Sequence, residues 1–187
     1  MRLFIAVTFS KEVKQQIEVV QERIKKQAEN GKFSSSQNLH LTLVFLGETP
    51  ELRMPEIKTA IAEAVSAGGN PVTSFNLGFS NVGFFKRGGK ELWWLGPEEE
   101  DPGGGKELKE LQKALAAELC ARDFPVDTRP FAAHITLGRE IKNGPWPFKI
   151  KEIKIDVKRI SLMLSEHVKG KLLYTELFGV DLALQDN

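Results

Sequence analysis

Residues 38–48 read NLHLTLVFLGE and contain the phrase His40-Leu41-Thr42-Leu43. The same phrase returns in residues 131–139, FAAHITLGR, as His134-Ile135-Thr136-Leu137. The chain has only 3 histidines, and two of them stand here. Strand side chains alternate between faces, so Leu and Ile point one way while His and Thr point the other. One face is suited to a core. The other presents an imidazole and a hydroxyl roughly 6–7 Å apart at the backbone, from the rise of a strand. Two such pairs facing each other would set two acid/base groups and two neutral hydrogen-bond donors around a single anion.

Working outward, Leu3 to Val7 reads as a buried strand. Ser10 is a fitting N-cap for a helix with Val13, Ile17, Val20, Ile24 and Ala28 on one face, ending at Asn30-Gly31. A polar loop, Phe33 to Asn38, leads to the strand Leu39–Leu46. Pro50 or Pro55 starts a second helix with Ile57, Ile61, Ala64 and Val65 inward, stopped by Gly68-Gly69. Val72–Asn81 and Leu92–Leu95 read as strands around a Gly88-Gly89 turn. Residues 96–105, GPEEEDPGGG, read as a solvated loop. A third helix follows with Leu108, Leu111, Leu115 and Leu119 on one face. Asp123 to Arg129 reads as a loop, and the second His strand comes next. Ile150–Val157, Ile160–Leu164 and Leu172–Phe178 read as three closing strands.

The order hides a repeat. The two histidines stand 94 positions apart, from 40 to 134, and the same shift carries the first helix, 11–29, onto 105–123, where the third helix is expected. Each half reads strand, amphipathic helix, polar loop, His-x-Thr strand. A duplication with its two motifs packed face to face predicts a pseudo-two-fold cleft. Few helices among runs of strands indicate an α+β fold with mainly antiparallel sheets, not a doubly wound one.

The bulk properties narrow the function. At 187 residues a single domain, 1–187, with a substantial core is expected. With 26 basic and 25 acidic residues the formal charge is +1, which argues against a histone-like electrostatic binder. Cys120 is the only cysteine, so no intrachain disulfide can form and a reducing cytoplasm is the simplest home. The opening MRLFIAVTFS is too short in apolar run for a signal peptide, and no stretch approaches membrane-spanning length. No Cys/His cluster has metal-ligand spacing, so neither metal nor cofactor is expected.

Phosphodiester hydrolysis needs a base to activate water, an acid to protonate the leaving oxygen, and donors to hold the nonbridging oxygens. Histidine, with an unperturbed pKa of about 6.5, can serve as either partner near neutrality. Two His-Thr pairs suffice without a metal if the substrate brings ring strain, as a cyclic phosphate does. A lone His-x-Thr is most often structural. Two copies at matching places in a half-repeat shift the balance toward a site.

These two motifs, together with the ending SLMLSEHVKGKLLYTELF at 161–178, resemble the 2H phosphoesterase superfamily. Within it the chain resembles the RNA 2′,3′-cyclic phosphodiesterases once described as 2′-5′ RNA ligases, over nearly its whole length. The resemblance implies a bilobal α+β domain with two mainly antiparallel sheets flanking a central cleft, helices outside. It implies hydrolysis of 2′,3′-cyclic phosphate ends of RNA to 2′-phosphomonoesters, with reverse 2′-5′ ligation. By that resemblance His40 is the general acid at the leaving ribose oxygen, His134 the base that activates water, and Thr42 and Thr136 the phosphate holders. The implied partner is an RNA with a cyclic phosphate end, tRNA fragments included, acted on by a monomer with no membrane.

The chain departs from the family pattern in two places. Lys32-Phe33 stand where a basic residue and Trp are usual, and Ala133 where Pro is usual. Phe33 is either a stacking surface for a terminal base or a loop aromatic capping the core. Lys32 and Arg129, the latter before Pro130, are candidates for RNA contact. Strand parity puts Arg139 opposite His134. Lys86, Arg87 and Lys90 surround the Gly-Gly turn, Lys149, Lys151 and Lys154 form an exposed face or edge protection, and His167 is expected in a turn. One of Trp93 and Trp94 faces inward. Two rivals stay open: a phosphodiesterase for a small cyclic-phosphate nucleotide metabolite, and a non-catalytic RNA-end binding module.

Overall fold

The computed structural model describes residues 1–66, 71–97, 105–127 and 129–184. The strands are β1 (Arg2–Thr8), β2 (Asn30–Phe33), β3 (His40–Glu48), β4 (Phe75–Arg87), β5 (Lys90–Pro97), β6 (Ile135–Lys142), β7 (Phe148–Val157), β8 (Arg159–Val168) and β9 (Lys171–Asp181). The helices are α1 (Lys11–Lys25), α2 (Met54–Ser66) and α3 (Lys106–Cys120).

The strands run in the order β7-β4-β5-β6-β3-β1-β8-β9, with β2 added beside β6, and every named pairing is antiparallel. The two expected sheets are therefore two lobes of one sheet. They are joined where β3 meets β6 at a single residue pair, Leu41 with Ile135. The pseudo-two-fold relation runs through that pair. On either side β3 corresponds to β6, β1 to β5, β8 to β4 and β9 to β7. The halves also exchange strands: β4, from the first half of the chain, pairs with β5 and β7, while β8, from the second, pairs with β1. The three closing strands thus part company, β7 bordering one lobe and β8-β9 completing the other.

Local chemistry explains the helices. The Ser10 hydroxyl accepts the amide hydrogen of Val13 at 3.3 Å, and Ile17, Val20 and Ile24 bury one stripe of α1. α1 and α3 each span 15 residues, at the positions the repeat requires. α1 packs on β6 and β7, whereas α3 packs on α2 and β3. Together they cover the sheet face that carries Leu41, Leu43, Ile135 and Leu137 into one continuous core. The opposite face carries the histidines and threonines, with a small second cluster of Phe4, Ala6 and Met163 packed by Tyr174.

Several sequence expectations need correction. α1 stops at Lys25, and Asn30–Phe33 is a strand rather than helix end and loop. β4 runs through to Arg87, where Gly88 (φ +56) and Gly89 (φ +74) supply the left-handed turn. His167 lies on β8; the turn is Lys169-Gly170. Of the expected 96–105 loop, Gly96 and Pro97 end β5 and Gly105 caps α3. Residues 98–104, like the expected Gly68-Gly69 stop, lie outside the described residues. Lys149, Lys151 and Lys154 lie on β7, a sheet edge, where lysines discourage edge-to-edge pairing. Among the described residues no helix is long and apolar enough to cross a membrane.

Candidate active site

The single β3–β6 pair fixes the site. In an antiparallel register Leu41 opposite Ile135 sets His40 across from Thr136 and Thr42 across from His134. All four side chains share the face opposite the buried Leu41 and Ile135, and all four are half-buried.

Both imidazoles are anchored in the same way. His40 Nδ1 lies 2.7 Å from the carbonyl oxygen of Asn38, and His134 Nδ1 lies 2.8 Å from that of Ala132. A carbonyl can only accept, so each Nδ1 carries the hydrogen and each Nε2 is left as the reactive nitrogen. The neutral His40 Nε2 accepts the Thr42 hydroxyl at 2.9 Å.

Their surroundings differ. His40 packs against Phe4 (4.8 Å between centroids, tilted) and edge-on to Tyr174 (5.1 Å). Burial drives its pKa down to about 4. The Asn38 carbonyl opposes that shift, and Arg139, His134 and Lys14 lower it further. The fixed cations Arg139 and Lys14 both act on this imidazole, which suits its surroundings to an anion. His134 meets the edge of Phe85, at 6.0 Å between centroids.

Two supporting residues escaped the sequence reading. Asn38 Nδ2 donates to the Leu172 carbonyl at 2.8 Å, and its Oδ1 accepts from the Tyr174 amide at 3.2 Å, which ties β9 to the start of β3. Gln21 is buried on α1, and its Nε2 donates to the carbonyls of Leu137 (2.7 Å) and Ser34 (2.9 Å). Ser34 adds its hydroxyl to the Thr136 carbonyl at 2.8 Å and its amide to that of Leu137 at 2.9 Å. The signal for Gln21 was present in the sequence. It stands four residues after Ile17, on the apolar stripe.

The Leu of each motif is the extra residue of a β-bulge. Ile5 and Ala6 pair with Val44 and Thr42, and Trp93 and Trp94 pair with Gly138 and Thr136, which skips Leu43 and Leu137. Each bulge shifts the alternation by one. Position five after each histidine, Phe45 and Arg139, therefore turns to the cleft side, and both line a cavity with His40 and Thr42. The parity reading that set Arg139 opposite His134 fails for this reason. That cavity, about 800 Å³, also takes in Arg2, Tyr174 and His167. A second cavity of about 550 Å³ lies in the other lobe, bounded by His134, Phe85, Trp94 and Phe148.

Phe33, Lys32 and Arg129 are not among the residues lining either cavity. Phe33 packs against the core, with the Lys25 ammonium 5.1 Å from its ring centre. Lys32 pairs with Glu140 at 3.2 Å, as does Lys90 at 3.3 Å. Arg129 is bound to Asp127, whose carboxyl it holds down to about 2. Trp93 is the inward ring of its pair and donates to Glu91 at 2.8 Å, while Trp94 faces the cleft. Among the described residues no group of three His, Cys, Asp or Glu side chains could hold a metal.

The sequence profile of the 2′-5′ RNA ligase superfamily matches residues 9–168. A Thermotoga maritima protein named RNA 2′,3′-cyclic phosphodiesterase is 35% identical over 156 residues, covering 82% of this chain and 78% of that protein. The crystal structure of a Thermus thermophilus protein superposes with a TM-score of 0.79 at 26% identity, over 100% of both chains. The crystal structure of Escherichia coli LigT complexed with ATP superposes with a TM-score of 0.74 at 25% identity, over 97% of each chain.

Proposed function

We propose a reaction for this chain, which belongs to the 2′-5′ RNA ligase superfamily: hydrolysis of RNA 2′,3′-cyclic phosphate ends to 2′-phosphomonoesters by two histidines, without a metal. The observation that carries the reading is the matched anchoring of the two imidazoles. Each is held at Nδ1 by a carbonyl two residues upstream, on strands that meet between the motifs. Each Nε2 is thereby available for proton transfer, one on each side of a bound phosphorus, as in-line displacement requires.

In this mechanism His134 Nε2 takes a proton from water as the oxygen attacks phosphorus. The P–O3′ bond breaks, and the 3′-oxygen takes the proton of His40. His40 is neutral in the empty cleft, because burial holds its pKa near 4. The arriving phosphate anion favours the imidazolium, so substrate and proton enter together. Protonation also ends the hydrogen bond that Nε2 accepts from Thr42 and leaves the new Nε2–H for the leaving oxygen. The Thr42 hydrogen becomes free for a nonbridging oxygen. Thr136 serves the other side, and Arg139 adds a fixed charge.

With an RNA 5′-hydroxyl in place of water, the same steps in the same direction join a 2′-5′ linkage. Arg139, Lys14 and Arg2 on the His40 side, where Glu48 and Glu166 also line the cavity, together with a cavity in each lobe, favour an RNA end over a small cyclic-phosphate metabolite. We take the whole chain as the catalytic unit, acting as a monomer in a reducing cytoplasm on RNA such as tRNA fragments.

The test is incubation with a short RNA ending in a 2′,3′-cyclic phosphate and phosphorus NMR of the product against authentic 2′- and 3′-monophosphates. A 2′-phosphate is expected. A predominant 3′-phosphate would reverse the histidine roles or the substrate orientation, and an unaltered ring would remove the proposed activity.

A further inference from the structure

We propose that Gln21, buried on α1 on the core side of the sheet, is a positioning residue for Arg139: it holds the β-bulge that turns that guanidinium to the cleft side. This rests on the reading of Arg139 as a fixed charge at the phosphate. Gln21 is 2% exposed on an otherwise apolar stripe. Burying an amide costs free energy unless its hydrogen bonds are made. Both hydrogens of Nε2 are used here, one on the Leu137 carbonyl at 2.7 Å and one on the Ser34 carbonyl at 2.9 Å.

Leu137 is the bulged residue, left unpaired by β5 because Trp93 and Trp94 go to Gly138 and Thr136. Its carbonyl turns instead to α1 and the end of β2, where it also accepts the Ser34 amide at 2.9 Å. Ser34 donates its hydroxyl to the Thr136 carbonyl at 2.8 Å, so one clamp holds two successive carbonyls of the motif. Regular pairing cannot do this for Arg139. The β5–β6 register slips twice, between Trp94 and Trp93 and again between Trp93 and Glu91, and Arg139 lies in the second gap. Glu140, next along the chain, takes a left-handed φ of +56. β2, on the other edge, is only 4 residues long and meets Arg139 through Lys32. The direction of Arg139 is therefore set by what anchors the bulge two residues before it.

The other copy of the repeat isolates the role of the amide. The 94-residue shift between the motifs carries Gln21 onto Leu115, which is fully buried and can donate nothing. That copy has Phe45 in the place of Arg139, a ring with no charge to aim. Filling the stripe takes only a leucine. The amide belongs to the one copy whose fifth residue must be aimed at an anion.

The test is a double-mutant cycle in the full chain, Gln21→Met with Arg139→Ala. It is read as kcat/KM on an RNA with a 2′,3′-cyclic phosphate end and as the Kd of inorganic phosphate by calorimetry. Rates are referred to folded protein, measured by circular dichroism at the assay temperature. Met keeps the length of Gln and removes the donor. Gln21→Met should lower kcat/KM ~10-fold and weaken phosphate binding, as for residues coupled through a backbone shift. In the Arg139→Ala background it should change either quantity by less than ~2-fold. Ile24→Ala, on the same stripe, empties buried space without removing a hydrogen bond and should leave both quantities as in wild type. Should Gln21→Met not fold, Gln21→Leu enters the same cycle. Equal effects with and without Arg139, wild-type values in the Gln21 variant, or an Ile24→Ala loss as large as that variant's would each overturn the assignment. A wild-type protein that leaves the cyclic RNA intact but binds phosphate would overturn the reaction, and the cycle is then decided by Kd alone. One that binds no phosphate would overturn both.

Discussion

His40 titrates at about 4 in the folded chain and at 6.5 when exposed, because Phe4, Tyr174 and the surrounding sheet strip water from its charged form. The unfolded chain therefore binds its proton first. The stability this neutral imidazole contributes is whole above pH 6.5 and is lost as pH falls toward 4. A gap of that size corresponds to about 3 kcal/mol, most of which is gone by pH 4.5. Depressed carboxyls, Asp127 and Glu176 among them, also withdraw stability as pH falls, so the wild-type curve alone cannot isolate His40. The difference from His40→Gln does, since those carboxyls are common to both proteins. Urea unfolding at pH 7.5 and 4.5 should show wild type losing about 2–3 kcal/mol more than the variant. Equal losses would mean that His40 is not held neutral, and the proposed joint entry of proton and phosphate would fall with it.

Three further outcomes are expected. Gln21→Leu should cost about 1–3 kcal/mol in urea unfolding, because it removes the side-chain donor from two buried carbonyls. His40→Ala and His134→Ala should each slow turnover at least ~10²-fold, and dialysis against EDTA should leave wild-type activity intact; loss on chelation with recovery on adding Mn²⁺ would assign another mechanism. Thr42→Val and Thr136→Val should each slow turnover by up to ~10²-fold, more than they destabilise the fold, and full activity in folded variants would make the hydroxyls structural.

Much of the fold could be read directly. The Ser10 cap, the α1 stripe and the placement of α3 at the repeat distance follow from local chemistry and periodicity. What stayed hidden depends on partners distant in sequence. Asn30–Phe33 has no alternation and becomes a strand only because β6 offers it an edge. The bulges at Leu43 and Leu137 leave no mark in composition, since a bulged Leu reads like any strand Leu. That one-residue slip moved Arg139 from the far face to the cleft side. Asn38 reads as a loop residue until β9, more than a hundred positions on, supplies the backbone groups it holds.

Two identical motifs would give two identical titrating groups, which is a poor acid/base pair. The structure separates them through what the repeat does not share. Position five is an aromatic in one copy, Phe45, and a fixed cation in the other, Arg139, and the bulges turn both to the His40 side. Arg2 stacks over Phe45 at 5.1 Å, so that side gains two guanidinium groups. The imidazole there is also the one closed in by Phe4 and Tyr174. Burial and positive charge both disfavour its imidazolium until an anion arrives, and both make the anion welcome. His134 lies in the other lobe, beside the cavity bounded by Phe85 and Trp94. The strand exchange explains how this asymmetry survives in a symmetric scaffold. Tyr174 enters the first lobe on β9 and Phe85 enters the second on β4, each delivered by the opposite half of the chain. Substitutions in one half therefore tune the histidine of the other, and the backbone that anchors both imidazoles need not change.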